Sequence, residues 1–287
     1  MTVDDYRTLI QNFASYIETL NVWGGEENVP PVFGRVFISI KPVGRDTITA
    51  AEQAQIEENV LDGRSVVSIV PQFVDPVIQF IEIRSNVDYD STQTPFTQQQ
   101  LENRLRDAIL QFGSEQLINF DSTFRRSALL AFIDNADGSV ISSDVDVFVQ
   151  RRLLPIIGQA ARYDLFFTLP LASVNSVDRV ITSDTFQYTV DGEVFDCVLR
   201  NKTASNTLEI VRTAGGGEVI VQDDAGFIDT VNNSIVLLPF APTGIQDTVN
   251  GIRFSAVPAN PNTISPLRNS LIRFDPDRTS VTATDNA

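Results

Sequence analysis

Histidine is absent from the 287-residue chain, lysine is reduced to Lys41 and Lys202, and Cys197 and Trp23 are single occurrences. Without histidine there is no Ser-His-Asp or Cys-His nucleophile, no imidazole general base and none of the usual catalytic zinc sites. A lone cysteine excludes an intrachain disulfide, reads as a buried apolar filler and leaves the redox compartment open. No apolar run approaches the roughly 18 residues of a membrane span. The start, Met1-Thr2-Val3-Asp4-Asp5, is acidic where a signal peptide would be basic. These absences describe a soluble, cytoplasmically made protein with no membrane partner. Positive charge is also scarce, with 37 acidic residues against 21 basic ones. Such a surface repels phosphate backbones, so nucleic acid is excluded as a partner. Nearly all the cations are arginine, which fits either interface use of its planar fork or codon bias.

Hydrophobic residues make up 43% of the chain and charged residues 20%, the composition of a folded globular protein. Val3, Tyr6, Leu9, Ile10, Phe13, Ile17 and Leu20 recur at three- and four-residue steps, predicting an N-terminal helix over residues 1–20 with Thr2 or Asp4 as cap. Trp23-Gly24-Gly25-Glu26 and Pro30-Pro31 predict a shaped loop. Over residues 21–155 the pattern predicts a strand at 35–41 and a helix from the Thr49–Glu52 capping box to about Leu61. Further strands at 66–70 and 77–89, helices at 97–118 and 122–133, and a strand around Val145–Val149 complete this part. That order is the ferredoxin-like split βαβ arrangement with one added helix. After Pro155 the helical period vanishes and alternating runs return about every ten residues. Asp191-Gly192, Gly215-Gly216-Gly217 and Asn232-Asn233 serve as hairpin turns. Residues 156–274 therefore read as an all-β sandwich or barrel, and 275–287 as a polar tail. The fold class is α+β.

Candidate chemistry is sparse. Asp88/Asp90, Asp144/Asp146 and Asp223/Asp224 offer carboxylate neighbours of glycosidase type, but strand-edge and turn positions give them a solvated role. Asp134-Asn135-Ala136-Asp137-Gly138 opens like a calcium loop yet lacks the ligand spacing and the closing Glu. The glycine triplet precedes no Lys-Ser/Thr and no helix, so it is no phosphate cradle. The expectation is no catalytic residue, metal, cofactor or small-molecule substrate.

Asn21–Glu26 followed by Pro30-Pro31-Val32-Phe33-Gly34-Arg35-Val36-Phe37-Ile38-Ser39-Ile40-Lys41-Pro42 resembles a stretch of the baseplate J-like wedge proteins of T-even-type contractile phage tails. Pro71–Pro76, Phe148–Arg152 and Pro266–Asn269 resemble the same family in the same order. In longer members this stretch lies in the C-terminal portion. The resemblance implies a structural subunit of the virion's tail baseplate that dimerises and links wedges into the inner ring. Its partners would be itself, other wedge subunits and a sheath-initiator-like protein. The contact surface expected from the sequence comprises Trp23, Gly24, Gly25, Glu26, Pro30 and Pro31 in the loop, with Arg151 and Arg152. The alternative is a host-surface adhesin of the tail, with a glycosidase as a distant third.

Overall fold

The computed structural model describes residues 2–28, 30–62 and 69–287. Helices are α1 (Val3–Phe13), α2 (Ala50–Ile56), α3 (Gln98–Gln116) and α4 (Arg126–Asp134). Strands through the first half are β1 (Ile17–Gly24), β2 (Arg35–Pro42), β3 (Val70–Phe73), β4 (Val77–Tyr89), β5 (Phe124–Arg125) and β6 (Val140–Leu153). Then follow β7 (Ala161–Phe166), β8 (Ile181–Ser183), β9 (Phe186–Val190), β10 (Glu193–Asn201), β11 (Thr207–Ala214), β12 (Gly217–Asp229) and β13 (Ser234–Phe240). The last strands are β14 (Gly244–Ile245), β15 (Ile252–Ala256), β16 (Thr263–Ile264), β17 (Ser270–Phe274) and β18 (Ser280–Asp285). Two compact units emerge, one of residues 1–79, 111–124 and 265–273, the other of residues 80–110, 125–264 and 274–287.

In the first unit, Thr2 closes a capping box with Asp5, and Thr49 closes another with Glu52. Each box satisfies amides that a helix start otherwise leaves unpaired. Tyr6 and Ile10 of α1 meet Leu20 and Val22 of β1, Val36, Ile38 and Ile40 of β2, and Ile56, Val60 and Leu61 in one apolar core. The helix ends at Phe13, not near residue 20, and Ile17–Gly24 is a strand antiparallel to β2. Ile17 and Leu20 fit a helical stripe, but the segment is rich in β-branched residues, and Ile17, Thr19 and Val22 pair with Pro42, Lys41 and Ile38. The strand expected at 66–70 falls mostly outside the described residues. β3 pairs parallel with β2 and contains Pro71, which an edge strand tolerates because one row of amides needs no partner.

The second unit is built on a long sheet, one path of which runs β4-β6-β15-β8-β10-β11-β12-β13-β7. The α+β class holds, while the pairing departs from a ferredoxin-like sheet. β2 belongs to the separate three-stranded sheet, because from Arg84 to Tyr89 β4 has β6 along one edge and β18 along the other. Among the described residues, every regular element from Ala161 onward is a strand, and the strands other than β16, β17 and β18 continue the β4-β6 sheet through β15. The hairpin turns fall as expected: Asp191 and Gly192, Gly215 and Gly216, and Asn233 all adopt positive φ. Residues 275–287 depart from the expected tail, since β18 pairs parallel with β4 and Asp275 is fully buried. Phe240 packs edge-on against Phe186 and Phe254, with ring centroids 5.1 and 6.4 Å apart, at the heart of the second-half core.

Candidate interaction surfaces

The loop after β1 is shaped by its glycines. Trp23 and Gly24 still belong to the strand, opposite Phe37 and Val36. The indole stacks on Phe37 at 5.6 Å and donates to Asn28 Oδ1 at 2.9 Å, leaving Trp23 only 6% exposed. The Gly25 carbonyl accepts from the amides of Asn28 (3.1 Å) and Val32 (2.8 Å). A Cβ on Gly25 would lie 1.9 Å from the Val32 carbonyl oxygen, so only glycine lets the two strands of the loop approach this closely. The loop therefore holds its form and presents Pro30, Pro31, Val32 and Phe33, the last 80% exposed. Glu26 is exposed beside them. Trp23 is thus the anchor, and the projecting apolar group is Phe33. Sequence reading stopped at Pro31 and missed it, although Pro-Pro-Val-Phe carries no polar residue to explain its place in a loop.

Arg151 and Arg152 lie on β6 in the second unit. Arg151 donates to the Phe166 carbonyl, and burial pulls its guanidinium below the ordinary pKa. Arg152 sits directly opposite Arg253 of β15, a like-charge pairing that would repel. The buried Asp275 carboxylate relieves it, 3.0 Å from Arg152 Nη2 and 3.1 Å from Arg253 Nε. Arg253 is further met by Asp184 (3.2 Å), Asp247 (3.4 Å) and Asp277 (2.7 Å). Next to it, buried Glu82 accepts from Ser255 Oγ (2.6 Å) and pairs with Arg84 (2.6 Å). Arg152 also covers the Phe80 ring at 3.6 Å. These charges pair with one another around the buried Asp275 and Glu82 carboxylates, with the chemistry of a strut. The carboxyls of the cluster face cations.

Several of the other candidate acids are likewise occupied. Asp88 accepts from Ser142, Asp144 pairs with Arg126, Asp223 pairs with Lys202, and Asp90 caps a turn through Thr92 and Gln93, which lowers its pKa. Asp134 to Gly138 forms the turn between α4 and β6, with Asp137 accepting from Ser139. Among the described residues no group of three or more acidic or Cys side chains could hold a metal. Cys197 is buried, and burial raises its thiol pKa. Among the described residues, no helix is long and apolar enough to cross a membrane.

With these surfaces in view, comparison with known proteins is informative. Residues 2–74 match the family model described as baseplate structural protein gp6, C-terminal domain I, and residues 77–152 match C-terminal domain III. The chain belongs to the gp6-like baseplate wedge proteins. It is 27% identical over 193 residues to the baseplate wedge protein gp6 of Enterobacteria phage T4, which covers 66% of this chain and 27% of that relative. The chain thus spans about a quarter of the gp6 relative's length and corresponds to its C-terminal portion. Both Trp23–Phe33 and Arg151–Arg152 lie inside the matched gp6 domains.

Proposed function

We propose that the chain is a structural subunit of a phage tail baseplate wedge, dimerising to link neighbouring wedges into an inner ring, and not an enzyme. The observation that carries this is the back-to-back match of residues 2–152 to two gp6 C-terminal domains. The geometry supports it: the fixed apolar tip Pro30–Phe33 loses little entropy when covered, as a repeated assembly contact requires. The partners in this reading are a second copy, other wedge subunits and a sheath-initiator-like protein, in a virion made in the host cytoplasm. A specific contact of this kind buries more than about 1,000 Å². Chemical cross-linking of purified tails followed by peptide mass spectrometry tests it. Links from the chain to itself and to baseplate neighbours are expected; links only to peripheral fibre proteins would replace this reading with the adhesin.

A further inference from the structure

Strand β7, Ala161–Phe166, ends the long sheet with β13 as its one strand partner among the described residues. Its ladder phase fixes which backbone groups are used. Phe167 N donates to Asn233 O, so by antiparallel alternation the amides and carbonyls of Leu165 and Tyr163 turn toward β13 and those of Arg162, Asp164 and Phe166 turn outward, the Phe166 carbonyl being taken by the Arg151 side chain. Side chains alternate with the same period. Ala160, Arg162, Asp164 and Phe166 are all exposed, Phe166 at 60%.

An exposed edge with unpaired backbone groups is a template for another strand, and proteins usually blunt it with charged side chains, proline, bulges or a covering element. Here the charges have opposite signs, two residues apart, and already pair with each other at 2.8 Å. That spacing is self-complementary. In an antiparallel arrangement with its twofold axis at Tyr163, Arg162 lies opposite Asp164 of the second copy and Asp164 opposite its Arg162. The outward groups of Arg162 and Asp164 are those that such a ladder bonds, and a twofold contact meets each residue's partner twice.

We propose that β7 docks on β7 of a second copy of this chain, extending the sheet across the dimer. This rests on the homodimer reading above and names the surface for it. The test uses the full chain and two charge reversals at exposed positions, Arg162→Asp and Asp164→Arg. Each alone sets like charges opposite one another twice, and sedimentation equilibrium should show self-association weakened about tenfold in each. An equimolar mixture of the two variants restores complementarity and should associate as the unmodified chain does. Circular dichroism checks that both variants fold. If the unmodified chain dimerises and both variants do so equally well, the β7 contact is wrong while the homodimer stands. Loss in both variants without recovery in the mixture, or an unmodified chain that stays monomeric up to millimolar concentration, also overturns the proposal.

Discussion

Replacing Arg253 with leucine probes the internal charge cluster most sharply. Arg253 is 8% exposed and its guanidinium is shared among Asp184, Asp247, Asp275 and Asp277. Breaking a buried ion pair from one side costs roughly 3–5 kcal/mol, because a charge remains without its counter-ion. Here the loss is tempered: fully buried Asp275 keeps Arg152 at 3.0 Å and the Asp277 amide at 3.0 Å, and Asp184 keeps Arg278 at 3.2 Å. The low end, about 3 kcal/mol, is therefore expected. Removing Arg273, whose pair with Asp46 has side chains 39% and 47% exposed, should cost under about 1 kcal/mol. Urea denaturation of both variants, with an unchanged slope, gives the comparison. Adding Asp275→Asn to Arg253→Leu removes the stranded charge, so the double variant should be more stable than the sum of the singles by at least about 1 kcal/mol. An Arg253→Leu cost no larger than that of Arg273→Ala would refute the reasoning, since it would mean the cluster is solvated.

Gly25→Ala forces a methyl against the Val32 carbonyl, so the loop must open; a loss of roughly 1–3 kcal/mol and a red-shifted Trp23 emission are expected. Asp247 and Glu52 are both held at about 2, Asp247 mainly by Asn250 amide donors and Glu52 mainly by Arg45. A carboxylate depressed on folding adds stability that is present above the unfolded value and lost as pH falls through the folded one. Acid titration should therefore show stability declining from about pH 4 to about pH 2, less steeply in Asp247→Asn. The double change Asp88→Asn with Asp90→Asn should alter stability by no more than about 1 kcal/mol, measured by thermal melts. Deleting residues 276–287 removes β18 and bares the β4 edge, so the truncated chain should aggregate or fail to fold in a solubility assay.

Much of this architecture was legible from local chemistry. The capping boxes at Thr49 and Thr97, β4 from Val77 to Tyr89, and the hairpins at Asp191-Gly192 and Asn232-Asn233 depend on neighbouring residues that the sequence displays together. The helix limit at Phe13 was not, because Ile17 and Leu20 satisfy the helical period as well as the strand one. Nor was the ordered end: Ser280-Val281-Thr282-Ala283 alternates as a strand should, but its threonines and aspartates read as solvated until β4 supplies the ladder. Arg152's burial was not legible, because its partners, the Asp275 carboxylate and the Asn250 side chain, come from turns remote in sequence. Only the sheet path brings them together. The same holds for Phe33, whose exposure depends on Gly25 tying down the loop beneath it.

The central claim, that this chain is a wedge component of a tail baseplate, is tested most directly by a density map of the intact tail into which the two units are fitted. The account predicts the chain in a ring around the tail axis, each copy touching another copy of itself. Density only on peripheral fibres, in copies that do not meet, would contradict it.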